Sequence, residues 1–443
     1  MRYSNFSIQF FLLAMLFMQT ARGVDLLIDQ SGFYKLGDTI LSLPLAADSI
    51  INITVGNVVL DLGGLTTSQG NATALVDGVS INSGLSDVVV QNGTISNVTR
   101  SGIRVGSSCS KIIIQNIEFL NCATAGADFQ GTASAAIVDG AINNCQFYNC
   151  GTTAGGAPLN LLGCSNFSVN NCTIANSSAT ITWTGALLST CSQCTIQSVM
   201  VKGNTSTNSL TGIGISGGAS NSFSNCFIQN NIASSLTGFN LAGSTTSTIL
   251  LNSFVSSNSS LTGILVGYNF NNAAFSYVDK CTANSNTSVG GMQGFLFDTS
   301  AVNSVVSNCI VNANSTTSLV NSFTGFAMLV GSSGLLRDCS ALYNSSATRS
   351  HGMVINATGN AWVVTSPFFT QNSGSSGANS FGLLYSASAP LGTLFLRTLA
   401  FANNTTGNQI SFPAAYSGSL TTIAAATILN SVTGVWTNLA VPS

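Results

Sequence analysis

Asp279, Asp298, Arg337, Asp338, Arg349 and His351 form the densest group of titratable side chains in the second half of this sequence. Their types could do acid–base or electrostatic chemistry. Glycoside hydrolysis requires two carboxyl groups facing each other across a bond, and calcium requires several oxygen ligands including carboxylates. If the chain is catalytic, these six carry it; the alternative is a set of solvated charges at corners of the fold. Arg100 and Arg104, near Asp77 and Asp87, form a second small group. Elsewhere acids are scarce. Glu118 is the only Glu, seven Asp precede it, and no acidic residue occurs from Gly140 to Val278. Ser350-His351-Gly352 reads as a loop with a surface histidine.

Twelve cysteines are the other reactive residues. Cys145, Cys172, Cys226, Cys281, Cys309 and Cys339 recur at one position of a repeat. Cys122 and Cys150 share a second position, and Cys109, Cys164 and Cys191 a third. Parallel side chains stacked one strand spacing apart keep their Cβ atoms about 4.8 Å apart, beyond the favoured disulfide range of roughly 3.5–4.5 Å. The expectation is an internal ladder of free thiols, with a Cys191 to Cys194 bridge left open. Cys191-Ser192-Gln193-Cys194 has no second Cys pair at zinc spacing, so no metal and no cofactor are expected.

The elements that must position these residues follow from composition and period. Of 443 residues 45% are hydrophobic and only 5% charged, with a formal net charge of -2. Ordinary domains have about 25% charged residues. No basic field is present for a phosphate backbone, which excludes nucleic acid as a partner. Mean hydropathy is +0.41, yet past residue 23 no apolar run approaches the roughly 18–20 residues of a spanning helix. Arg2, the apolar run from Ile8 to Met18, and the small residues Ala21 and Gly23 match a secretory signal peptide cut after Gly23; the alternative, a single membrane anchor, is disfavoured because the run is shorter than a bilayer crossing. A secreted or cell-surface location is therefore expected. Fifteen N-x-[S/T] sequons follow residue 23, not far above what a chain so rich in Asn, Ser and Thr gives by chance.

Two markers advance together along the chain. One is a glycine opening an apolar alternation, at Gly185, Gly212, Gly238, Gly263, Gly294, Gly325, Gly352, Gly382, Gly407 and Gly434, in steps of 25 to 31 residues. The other is a polar residue, usually Asn, before Cys or a small or apolar residue, from Asn116 through Asn144, Asn171, Asn225 and Asn308 to Ser366, in steps of 27 to 30. Between them apolar and polar residues alternate over four to six positions, the period of strands. A unit this small cannot bury its own apolar face, and stacking like units solves that problem. The reading is an all-β, right-handed parallel β-helix of 13 to 14 turns. Its expected parts are an N-terminal cap at 24–50, the helix at 51–410, and a last turn with C-terminal cap at 411–443.

Asn57-Val58-Val59-Leu60-Asp61-Leu62-Gly63-Gly64, then Val88-Val89-Val90-Gln91-Asn92-Gly93-Thr94-Ile95, resemble the opening turns of the pectin-lyase-like superfamily. The entry Gly32-Phe33-Tyr34-Lys35-Leu36 is similar as well. Phe227-Ile228-Gln229-Asn230, Phe369-Thr370-Gln371-Asn372 and Phe401-Ala402-Asn403-Asn404 are similar to the F-x-x-N repeats of chlamydial polymorphic outer-membrane proteins. The first resemblance implies a scaffold on which enzymes cut polysaccharides with clustered carboxylates, bound calcium or an Arg or Lys base. The polygalacturonase motifs N-T-D, D-D, G-H-G and R-I-K and the pectate lyase motif R-x-P-x-x-R are absent. The sequence thus reads as a non-catalytic, adhesin-like or glycan-contacting protein whose partners are neutral glycans or surface proteins. The alternatives are a polysaccharide lyase or glycoside hydrolase, and a structural, self-associating rod.

Overall fold

In the computed structural model the chain is a parallel β-solenoid of about 12 turns. The structure describes residues 24–37, 40–42, 49–64, 66–69, 75–153, 155–298, 300–356, 362–370, 372–374, 383–385, 394–397, 400–402 and 410–411. The expected signal peptide at 1–23 and the closing segment from 412 lie outside them, as do the glycine markers Gly382, Gly407 and Gly434. All elements among the described residues are strands. Within the expected N-terminal cap, Val24–Ile28 and Gly32–Lys35 already pair in parallel register with Ser49–Ile53 and Val58–Asp61.

Each turn has three faces. One face forms a single sheet, exemplified by Ser101–Val105, Ala125–Gln130 and Leu159–Leu162. The other two are joined at a corner, which the long strand Ser110–Leu120 rounds before the chain divides into Ala141–Asn143 and Gln146–Tyr148 in the next turn. That corner is the polar marker. Asn116, Asn144, Asn171, Asn225, Asn252 and Asn308 all sit there with φ of 46 to 55°, a left-handed conformation that Asn tolerates through local side-chain hydrogen bonds. The following residue turns inward, which puts Cys145, Cys172, Cys226, Cys281, Cys309 and Cys339 in one interior column. All twelve cysteines are free and buried. Burial pushes the Cys226 thiol up to about 12 and raises Cys309 and Cys339 well above the ordinary value, so these sulfurs are packing groups and poor nucleophiles.

At the next corner a different interior column appears. Asn204, Asn231, Asn258, Asn286, Asn314, Asn344 and Asn372 are buried and successive. From Asn204 to Asn344 each side-chain nitrogen donates to a carbonyl of the preceding turn and to the Oδ1 of the next Asn, and that of Asn372 donates to Ala341 O. For Asn286 these are Val255 O at 2.8 Å and Asn314 Oδ1 at 3.0 Å. Its own Oδ1 accepts from both nitrogens of Asn258, at 3.0 Å each. Beside the amides run stacked rings, Phe239, Tyr268, Phe295 and Phe326, with centroids 4.4 to 5.3 Å apart. The Tyr268 hydroxyl is satisfied at Ser253 O, 2.6 Å away.

The glycine marker needs one correction. Leu236 pairs with Leu265 and Thr237 with Val266, so the partner of Gly238 is Gly267, and Gly263 belongs to an irregular segment before the strand. Gly212, Gly238, Gly267, Gly294, Gly325 and Gly352 form the column, because there is no room for a Cβ. At Gly294 it would lie 2.5 Å from Gly325 O and 2.5 Å from Val311 Cγ2. Gly294→Ala should lower unfolding free energy by about 1–3 kcal/mol in urea titration, the cost of forcing a packed backbone apart. Gly37→Ala, with nothing within 4 Å of its Cβ, should change it by no more than about 0.5 kcal/mol.

The F-x-x-N likeness also joins different columns. Phe227 stands in register with Phe254, and the same column reaches Phe368 rather than Phe369. Asn230 is a left-handed corner residue, whereas Asn372 belongs to the interior ladder.

Candidate functional site

The six sequence candidates fall on two sheets. Asp279 ends Tyr277–Asp279 and Arg337 ends Gly334–Arg337, and the register Asp279, Ser307, Arg337 places them two turns apart in one outward column. Burial opposes ionisation of Asp279. Hydrogen bonds from Asn308 Nδ2 (2.8 Å) and Ser307 Oγ (2.7 Å), with the charges of Lys280 and Arg337, outweigh it and hold the carboxyl below its ordinary value. Asp338 follows at the left-handed corner, with φ of 51°. Asp298, Arg349 and His351 lie with the other sheet, Asp298 after Met292–Phe297 and His351 within Ser350–Ile355.

The surface loop expected around His351 is instead a strand in register with Thr324 and Gln293. His351 is only 3% exposed. Its imidazole is lowered to about 4, by burial first and then by the charge of Arg349. The strand Ser350–Ile355 continues the sheet that carries Phe323–Met328.

The second group is more tightly assembled. Arg100 grips the fully buried Asp77 with two hydrogen bonds, Nε to Oδ1 at 2.8 Å and Nη2 to Oδ2. The Ser101 backbone N–H adds a third at 3.0 Å. Burial still wins over these bonds and the nearby Arg104, leaving the Asp77 carboxyl above its ordinary value. Arg104 pairs in register with Asp128, whose Oδ1 accepts from Gln130 and, at 2.8 Å, from Asn160 Nδ2. Asp87 does not join them; it lies 3.4 Å from Lys111 at an exposed position. Every carboxylate here is answered by a neighbour of the same scaffold, so the group acts as a clamp between turns.

A third feature is spread over the outside. Gln115 Nε2 donates to Gln91 Oε1 at 2.8 Å and Gln91 Nε2 to Asp61 Oδ2 at 3.0 Å, while Asn170 donates to Asn143 at 3.0 Å. Along the corner beside them Asn116 donates to Asn92, Asn144 to Asn116 and Asn171 to Asn144, at 3.1 to 3.4 Å. At the next corner Asn149 donates to Asn121 and Asn121 to Asn97, at 2.9 and 2.8 Å. After its ladder bond each amide keeps one N–H and a carbonyl lone pair for solvent or a ligand. The chain therefore presents regular rows of donor and acceptor with one strand spacing, about 4.8 Å, between members. Sequence reasoning placed the corner Asn residues but missed the Gln and Asn residues one position before them, whose signal was the same step. Among the described residues no group of three or more His, Cys, Asp or Glu side chains could hold a metal.

No curated protein matches the chain. Among solved structures it is similar to the A-module of mannuronan C-5 epimerase AlgE6 from Azotobacter vinelandii, with 12% identity, TM-score 0.39, and 80% of this chain and 91% of that one covered. It is also similar to the catalytic unit of the GH87 α-1,3-glucanase of Streptomyces thermodiastaticus, with 10% identity, TM-score 0.38 and coverages of 89% and 63%. A third likeness is to the surface protein and adhesin PfbA of Streptococcus pneumoniae, with 11% identity, TM-score 0.31 and coverages of 88% and 91%. In keeping with the stacked turns, residues 157–333 match the family model of the right handed beta helix region.

Proposed function

We propose that this protein is a non-catalytic β-helix, secreted or displayed at a cell surface, that contacts neutral glycans or surface proteins through its outward amide rows. The observation that carries this reading is the fixed array of Gln91, Gln115, Asn143 and Asn170 beside Asn92, Asn116, Asn144 and Asn171. Such rows match the hydroxyls of a neutral saccharide without needing charge, and being locked to each other they lose little side-chain entropy on binding. Catalysis would instead need carboxyl groups free to face a substrate, and Asp77, Asp128 and Asp279 are engaged by their own neighbours.

The test is incubation with a panel of neutral and acidic polysaccharides, measuring both retention and chain length. Retention of a neutral polysaccharide at unchanged length is expected, weakened roughly fivefold by Gln115→Ala for each hydrogen bond of about 1 kcal/mol lost. Cleavage would overturn the reading and direct attention to Asp279, Asp298, Arg337, Asp338, Arg349 and His351. Full cleavage after Asp298→Ala and Arg337→Ala would then exclude that group.

A further inference from the structure

One face of the C-terminal half is apolar on the outside. Ile249, Tyr277, Val305, Leu335 and Val363 stand in register, one per turn, and none is buried, Ile249 being 40% exposed. In a strand column facing water this is the unusual side of the molecule. The column beside it runs Leu251, Asp279, Ser307, Arg337, Thr365. The corner beyond runs Asn252, Lys280, Asn308, Asp338, Ser366, tied turn to turn through the backbone.

The charges here are antisymmetric about the turn that holds Val305, Ser307 and Asn308. One turn before it stand Asp279 and Lys280, negative then positive. One turn after it stand Arg337 and Asp338, positive then negative. A two-fold axis lying in this face and crossing the rod at Val305 lays each column on itself with its order reversed. Tyr277 then meets Leu335 of the second copy, Val305 meets Val305, Asp279 meets Arg337, and Lys280 meets Asp338. A parallel arrangement that lays the apolar column on itself sends the charged columns of the two copies to opposite sides of the interface, so that none of the four charges meets its opposite.

We propose that this face is the interface of an antiparallel homodimer of the chain. Five turns at about 4.8 Å and a face roughly 20 Å wide give on the order of 500 Å² from each copy, about 1,000 Å² in all, the lower bound for a specific interface. The apolar column supplies the centre and the four reciprocal ion pairs the rim and the direction, as in other interfaces where charge sets register and on-rate.

Sedimentation equilibrium of the full chain, across protein concentration and salt, tests this. A dimer whose dissociation constant rises with salt is expected, as exposed ion pairs are screened. Arg337→Asp should raise the dissociation constant at least tenfold, since Asp279 then meets a like charge. The exchange Asp279→Arg with Arg337→Asp should restore association, because each pair is re-formed with its signs reversed. Far-ultraviolet circular dichroism confirms that each variant is folded. Val305→Cys, lying on the axis, should cross-link to itself through a short bismaleimide, because facing sheets lie about 10 Å apart, beyond disulfide reach. A wild-type chain that stays monomeric overturns the proposal. So does a dimer unaffected by Arg337→Asp, or one that the double exchange fails to restore.

Discussion

Asn286→Leu is expected to remove about 5 kcal/mol of unfolding free energy at neutral pH. Leucine has the same four-atom side chain branched at Cγ as asparagine but a larger volume, so some overpacking adds to the cost. The larger loss is of partners. Asn258 loses the acceptor for its backbone N–H and for one side-chain hydrogen, and the Val255 carbonyl loses a donor. Each polar group left buried and unanswered costs about 1–3 kcal/mol, and the interior offers no water to replace it. Asn286→Asp sharpens the test. Ionised, the carboxylate keeps the acceptor role but cannot donate to Asn314 or Val255; protonated, it can make one of those bonds. Burial raises the folded-state value of such a carboxyl above its unfolded value. A raised value contributes stability that is present at low pH and lost as pH rises through it, so Asn286→Asp should regain stability between neutral pH and about pH 4, whereas Asn286→Leu should not. Urea unfolding at the two pH values reads both. A loss below 1 kcal/mol for Asn286→Leu would show that the ladder does not hold the turns together.

Arg100→Met should cost about 3–5 kcal/mol at neutral pH, the range for stranding one member of a buried ion pair. Asp77 is fully buried, and its carboxyl already sits above its ordinary value because burial outweighs Arg100. Without the guanidinium that value rises further. The sign is the same as before: the deficit is largest above the raised value and shrinks on acidification, as the carboxyl enters the folded state protonated. The double variant Asp77→Asn with Arg100→Met should recover most of the loss, since removing both charges leaves no unpaired ion. Thermal unfolding from pH 4 to pH 8 for the three variants would reveal this pattern, and a pH-independent deficit in Arg100→Met would refute the account.

The fold was legible because stacking imposes its period on every column. The corner Asn residues and the Cys residues after them recur at the same step, and the structure puts both where that step requires. The interior Asn ladder was harder to see because it lies one residue beyond another corner: in Asn230-Asn231 the first residue adopts φ of 55° and the second points inward. Composition and spacing cannot separate two adjacent columns of the same residue. Gly263 mimics Gly267 for a related reason, since the four residues from Leu261 to Ile264 break the strand and only hydrogen-bond register identifies the partner of Gly238. Near the N-terminus the turn is shorter, with Gly78, Gly102 and Gly126 in steps of 24. That spacing joins Asp87 to Lys111, and it also brings Arg100 to Asp77, 23 residues earlier. His351 read as a loop residue because a single charged-type side chain between Ser and Gly carries no strand period of its own.

If the chain is secreted as proposed, the asparagine ladder also bears on what could be attached to it. Asn204, Asn258, Asn286, Asn314 and Asn344 each head a sequon, as in Asn286-Thr287-Ser288 and Asn314-Ser315-Thr316. A glycan is joined to the side-chain nitrogen, and in all five that nitrogen is buried and donating inside the solenoid. Once the turns have stacked, these five sequons are closed to any transferase. A sugar added to one of them before its turn has stacked would occupy the interior column, and the rod could not close past that turn. For a third of its fifteen sequons, then, folding and glycosylation are competing fates of the same atom.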